Sequence, residues 1–577
     1  MEKRKRIFEN VKASVAKNFR RATLNFLFII LFVNLFQRVF GLENSIVGVI
    51  FTILMSASMV RDMTAAPVRH LLSQTAVLFL MAASACFVAS ASPLAALPVN
   101  FLMTFLILYA FTYEYVSHLY FPYILSYLFL VFISPIGPEL LPKRLAAVSA
   151  GAACVILYQL INGRSRVVET ARDVLCSMID QAGEGVSRLL EGRKIHRDPE
   201  GPRARLCRLS QIIYERRKKV LRVSDASFAM LDSGRGLENL ILLLEEMSGP
   251  ITPERAALLG QVGAYLPALR AYMTQETAEL PPLFRKDFGP EDSAEAQGFY
   301  LCLLYIRRHM LSMTLPEKQK RYRKTMQSFS FRLKAALRLS PVRLVYALRV
   351  AGLLALCTLL VQRLGLPHGK WLLFTVASVS LPYADDVGVK AKKRMLATLV
   401  GGLSGALLFS LIPSAAGRSL VMMLSGYLSF YFTDYSATFA CSTVGALGGA
   451  VFLTAFGWRE VGWLSLARLG YILLGIAIAM LANIAFFPYR RATATRQLLK
   501  KYCSTTELLS RICQDREADP QLYYSLVIHS HLQENKIRQN ARELNWTEVS
   551  GLLEKCRQAV RAAHRARPEP ELSPEME

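Results

Sequence analysis

Very little in this sequence can carry out covalent chemistry. Eight histidines are spread over 577 residues, and ten cysteines include neither a CxxC nor a Cys/His cluster. That excludes a zinc finger and a disulfide framework. Cys86, Cys154, Cys357 and Cys441 stand alone inside apolar runs and read as small buried apolar side chains. A phosphate loop is missing as well: GLPHGKW at 365–371 has the wrong spacing and no Ser or Thr after Lys370. Nothing supports nucleotide hydrolysis, no cofactor or metal is implied, and the chain does not read as an enzyme. Acidic residues are also scarce, 43 against 69 Lys and Arg, for a formal net charge of +26. Such a balance fits nucleic acid or a membrane. The lack of a basic stripe interleaved with aromatics argues against nucleic acid.

What the sequence has is apolar length. It is 53% hydrophobic, and its modest mean hydropathy of +0.29 averages long apolar blocks with charge-dense ones. Apolar segments of span length or close to it fall at 24–40, 46–60, 71–91, 97–112, 119–135 and 144–162. A second set falls at 345–363, 371–383, 395–412, 419–433, 436–456 and 464–487. The segment 119–135 is the weakest, with Pro122 inside it and Pro135 at its end. The fold class expected is therefore all-α, a polytopic membrane protein with two six-helix halves. No small-residue cleavage site follows the first apolar run, which reads as an uncleaved span.

Cations set the orientation. Eight of the first 21 residues are Lys or Arg, and Lys390, Lys392, Lys393 and Arg394 crowd one short loop. Loops on the other side carry one or two each, such as Arg38, Arg418 and Arg459. Both halves then begin and end in the cytoplasm. The expected organisation is a membrane half at 1–163, a cytoplasmic helical domain at 164–344, a second membrane half at 345–489 and a helical tail at 490–577. Within the polar blocks, 237–247 and 298–313 carry apolar residues at helical spacing. The stretch 317–337 reads as a basic helix, 567–577 as a Pro/Glu-rich disordered end, and His529 and His531 as solvated.

The halves share a register. An offset of 324 carries Asp62 onto Asp386, Arg144 onto Arg468 and Gly151 onto Gly475. It describes a parallel repeat, and transporters commonly place the substrate path between such repeats. Arg144 and Arg468 lie at or just inside the outer ends of the sixth spans. They either line a polar path for an anion or snorkel to the interface. Lys393 and Arg394 are either inner anchors or an inner vestibule for anions. Asp62, Asp385 and Asp386 either cap the following helix or pair with the cations at 390–394. Glu114 and Asp434, near the inner ends of the fourth spans, are candidates for proton coupling. Gly401 with Gly405, and Gly445 with Gly449, form GxxxG pairs suited to close helix approach.

The stretch from Arg394 through Thr398, Gly401 and Gly405 resembles the signature of the fusaric acid resistance / aromatic acid exporter family of bacterial inner-membrane proteins. The last span, from Arg468 and Gly475 to Pro488, is similar to that family's closing span. There are departures: Ala397 stands where the signature has Gly, and Val77 and Met81 fall opposite Gly401 and Gly405. The resemblance implies a multi-pass protein of the bacterial cytoplasmic membrane, both termini cytoplasmic, exporting aromatic or other organic acids on the proton gradient. Its implied partners are a small organic anion, the lipid bilayer, and a second copy of the chain or an accessory membrane-fusion-type protein. A distant similarity to plant aluminium-activated malate transporters implies that each half corresponds to one subunit of a dimer. An uncoupled anion channel and a membrane scaffold that binds a partner stay open as alternatives.

Overall fold

The computed structural model describes residues 2–58, 67–115, 118–162, 166–195, 198, 200–215, 224–247, 250–283, 294–315, 317, 340–412, 414–432, 434–451, 458–486, 488–515 and 519–565. Among the described residues there is no strand. In chain order the helices are α1 (Glu2–Phe40), α2 (Ser45–Ser58), α3 (Pro67–Ser90), α4 (Pro93–Phe111), α5 (Tyr120–Phe132) and α6 (Leu141–Asn162). Then come α7 (Arg166–Leu190), α8 (Glu200–Glu215), α9 (Asp225–Glu246), α10 (Pro253–Thr274) and α11 (Ala294–Thr314). A second apolar series follows: α12 (Pro341–Arg363), α13 (Lys370–Val379), α14 (Ala384–Leu411), α15 (Ala415–Leu428), α16 (Tyr435–Val451) and α17 (Trp458–Ala485). The last three are α18 (Arg491–Gln514), α19 (Pro520–Glu543) and α20 (Glu548–Arg565).

Two compact units result: one gathers most of residues 1–157 with 339–491, the other 158–338 with 492–577. Among the described residues of the first, seven stretches are long and apolar enough to cross a membrane, lying in α1, α3, α4, α6, α12, α14 and α17. The remaining apolar helices are shorter. α5 has 13 residues and α13 has 10, too few for a crossing of roughly 30 Å. Elsewhere the sequence boundary falls inside a longer helix. α14 begins at Ala384 rather than near 395, and α17 at Trp458 rather than near 464. Charged residues that look like a span's edge are thus carried into it.

The first helix of each apolar series packs against the fourth helix of the other. Between α1 and α15, Thr23 Oγ1 lies 2.8 Å from the Tyr427 hydroxyl, with Phe26 edge-on to the same ring. Between α12 and α4, Arg343 Nε donates to Tyr109 O at 3.0 Å. Close approach recurs in register too. A Cβ on Gly151 would run into the Phe51 ring of α2, and one on Gly475 would lie 3.0 Å from Thr375 Cβ of α13. Phe51 and Thr375 are themselves 324 residues apart.

One GxxxG pair makes the expected contact. A Cβ on Gly401 would strike the Ala440 carbonyl and approach Ala440 Cα to 2.9 Å, and one on Gly405 would come 3.2 Å from Leu447. So α14 and α16 run side by side, backbone to backbone. In the second pair, by contrast, nothing lies within 4 Å of Gly445, and it is Gly448 that faces Met422 and Phe409. Gly401→Val is expected to lower the thermal unfolding midpoint in detergent, because overpacking against backbone costs roughly 1–3 kcal/mol. Gly402→Val, with open space around it, is the control and should leave the midpoint unchanged.

The second unit joins α7–α11 to α18–α20. The apolar stripe of α9 (Leu237, Leu240, Ile241, Leu244) is buried. The contact from α8 to α19 is ionic: Arg203 donates to both Glu534 oxygens, to Oε2 at 2.7 Å from Nη2 and 2.9 Å from Nε, and to Oε1 at 3.2 Å from Nε. His531 is not solvated. It is 4% exposed, its Nδ1 sits 2.6 Å from Ser210 Oγ, and burial pushes its pKa well below the ordinary imidazole value. The stretches 318–337 and 567–577, and Asp62 with its loop, lie outside the described residues.

Candidate functional site

Arg144 and Arg468, which the offset of 324 pairs, meet different surroundings. Arg144 is 1% exposed and every nitrogen of its head donates. Nε reaches Asn44 Oδ1 at 2.6 Å, Nη2 reaches Glu43 O at 2.7 Å and Ser134 Oγ at 3.0 Å, and Nη1 reaches Ser134 O at 3.3 Å. It staples the turns after α1 and α5 onto the start of α6. The chain turns there through Gly41, whose φ of 87° suits glycine. Arg144 is fully occupied by structure.

Arg468 is 5% exposed, ten residues into α17. Among the described residues its Nε and Nη1 have no hydrogen-bond acceptor, nor does Ser465 Oγ one turn earlier. Its charged neighbour is another cation, Arg394. Arg394, 5% exposed and ten residues into α14, likewise leaves Nε without an acceptor. The end of α17 meets the start of α14, where Asn483 Nδ2 donates to Ala384 O at 3.0 Å. The helices are therefore antiparallel, and each arginine stands about 15 Å in from its helix start. Aromatic faces flank them: Arg394 lies 4.5 Å from the Phe439 centroid and Arg468 4.9 Å from that of Trp371. Apolar clusters close both sides, Val379, Val387, Ala391 and Ala479 on one, Trp371, Phe409, Val444, Leu447 and Leu464 on the other.

Two guanidiniums in an apolar setting without a carboxylate cost several kcal/mol. Unfilled N–H donors on two neighbouring guanidiniums in such a place are what an anion requires.

The other expected site residues are placed apart from this pair. Lys393 is about half exposed, 3.7 Å from Asp434. Asp434 caps α16, accepting from Ser436 N at 2.8 Å, and that bond holds its carboxyl below the ordinary carboxylate range. Glu114 is half-buried in the loop after α4. Asp386 and Asp385 do not pair with 390–394. Asp386 forms an ion pair with Arg491, and Asp385 accepts the Arg491 N–H at 2.7 Å. That pairing follows from the early start of α14, which puts both carboxylates beside the chain leaving α17. Thr398 donates to Arg394 O one turn back. What the sequence reading missed are the rings, Trp371 and Phe439. The available signal was a matched spacing of four, Lys390 and Arg394 on one helix, Tyr435 and Phe439 on the other.

Residues 355–482 match a family model described as fusaric acid resistance protein-like. Arg394, Thr398, Gly401, Gly405, Arg468 and Gly475 all fall within that match. A stretch of 144 residues is 28% identical to the inner membrane protein YccS of Escherichia coli (strain K12), covering 25% of this chain. The match spans a fifth of that relative's length, 20%. No solved structure matches the chain.

Proposed function

We propose, starting from a C-terminal membrane half that is fusaric acid resistance protein-like, that this chain moves organic anions across the bacterial cytoplasmic membrane. One observation carries the reading: Arg394 and Arg468 lie buried and adjacent, with free N–H donors and no carboxylate among the described residues. The inner-membrane relative supports the location. The positive loops support cytoplasmic termini. The register of 324 and the exchanged packing of first and fourth helices support two six-helix halves related as a parallel repeat. In that repeat only the second half keeps its arginine open, so the path runs through the C-terminal half. Arg144 serves the N-terminal half as scaffold.

Export coupled to protons is the first reading and uncoupled passage the second. Asp434 favours the second, since its carboxylate is committed to the α16 cap and stays ionised near neutrality. Benzoate flux into proteoliposomes tests both. Coupled export predicts accumulation that follows an imposed pH gradient and collapses with an ionophore. A channel predicts flux set by the benzoate gradient alone. No benzoate, chloride or nitrate movement under any gradient would overturn the transport reading.

A further inference from the structure

Among the described residues, four cations of the membrane unit rest on rings rather than on carboxylates: Arg343 on Tyr109, at 4.4 Å, and three more on α14 and α17. Lys390 Nζ is 3.5 Å from the Tyr435 centroid, Arg394 Cζ 4.5 Å from that of Phe439, and Arg468 Cζ 4.9 Å from that of Trp371. Lys390 and Arg394 are one turn apart on α14, and Tyr435 and Phe439 one turn apart on α16. Because Gly401 and Gly405 hold these helices together, running the same way, the first two pairs stack as rungs about 6 Å apart. Trp371 completes the third rung from α13 and is stacked in turn by His368, centroids 4.8 Å apart. Lys143 and Lys393 of the same unit have acidic partners instead, Glu43 and Asp434, and Arg491 has both, Asp386 and the Tyr383 ring at 5.3 Å.

The difference matters chemically. A carboxylate would neutralise a guanidinium and occupy its N–H edge, whereas a ring attracts it by its quadrupole and adds no charge. A ring contact takes up no N–H donor: Nε of Arg394 and Nε and Nη1 of Arg468 are unfilled, although the Arg394 head also meets the Tyr435 hydroxyl.

We infer that Phe439 and Trp371 are positioning residues for the anion site: they hold Arg394 and Arg468 by the face with N–H edges presented, and Tyr435 does the same for Lys390 one rung below. The three rungs form a stepped anion path in which a passing anion is never far from the next cation. This rests on the anion-site reading above and adds to it a requirement for aromatic faces.

Trp371 itself reports the outcome. In a full-length chain whose remaining tryptophans are replaced (Trp458→Phe, Trp463→Phe, Trp546→Phe), iodide is titrated against Trp371 emission in nanodiscs, with neutral acrylamide as the access control. The wild-type site gives a saturable iodide component that Arg468→Gln removes while acrylamide quenching is unchanged. Phe439→Leu, similar in size but without a π face, weakens the iodide midpoint about tenfold, and Phe439→Tyr restores it. If no saturable component exists, or Arg468→Gln retains it, the anion-site reading fails. If Arg468→Gln removes it but Phe439→Leu leaves the midpoint in place, the positioning role is overturned and the site stands. A shift in Phe439→Tyr equal to that in Phe439→Leu also overturns the positioning role, since packing alone would then account for it.

Discussion

Replacing Arg468 with Gln is expected to cut anion flux per folded molecule about a hundredfold while leaving the thermal midpoint unchanged or higher. Gln keeps much of the volume and removes a buried charge that no carboxylate offsets among the described residues. The folded protein thus loses a liability rather than a bond. A bound anion loses charge-assisted hydrogen bonds worth roughly 1.5–3 kcal/mol, the upper end of which is a hundredfold. Arg144→Gln should do the opposite. It orphans the oxygens of Asn44, Ser134 and Glu43 that the guanidinium now satisfies, at about 1–3 kcal/mol for each buried group left unpaired. Yield and thermal midpoint should fall, and flux per folded molecule should hold. Equal flux losses in the two variants would mean that the path uses both halves.

The second large effect is expected outside the membrane unit. Glu534 is fully buried. It accepts from Arg203 of α8, Arg557 of α20, Arg538 of its own helix and the Tyr502 hydroxyl of α18. Burial pushes its carboxyl up, and Arg203 and Arg557 more than reverse that, holding it far below the ordinary carboxylate range. Its contribution is therefore present above the unfolded value, near 4.5, and is lost as pH falls below it. Glu238 and Glu200 balance the arginines only in part. Glu534→Gln leaves cations facing one another in a dry interior and should destabilise the polar unit by about 3–5 kcal/mol. Hydrogen exchange of the full-length protein is the readout: amides of α18–α20 and α8 should lose protection together. Protection lost from α19 alone would mean that the tail is a separate element.

How much of this was legible in the sequence depends on how local the information is. Apolar runs announce helices by composition, and each of the twelve stretches read from the sequence overlaps an observed helix. The register of 324 was legible because Arg144/Arg468 and Gly151/Gly475 recur together. Their contacts, Phe51 and Thr375, keep the same offset without resembling one another. Helix starts were not legible where charge enters a span. Lys390 to Arg394 look like an edge, but their stems and heads are accommodated by Tyr435 and Phe439, which no local pattern reveals. The divergence of the two arginines depends on Asn44, 100 residues from Arg144, where the offset puts His368. Nothing in the local pattern of the polar tail marks Glu534 as buried, and its partner Arg203 lies 331 residues away. Pairings of that range leave no trace in spacing.

Locating a heavy anion tests the central claim most directly. In crystals of the full chain grown with bromide, an anomalous peak is predicted between the Arg394 and Arg468 guanidiniums, within hydrogen-bond reach of Arg468 Nε or Nη1 and absent from Arg468→Gln crystals. Bromide bound at Arg144, or no ordered bromide between Arg394 and Arg468 at saturating concentration, would contradict it.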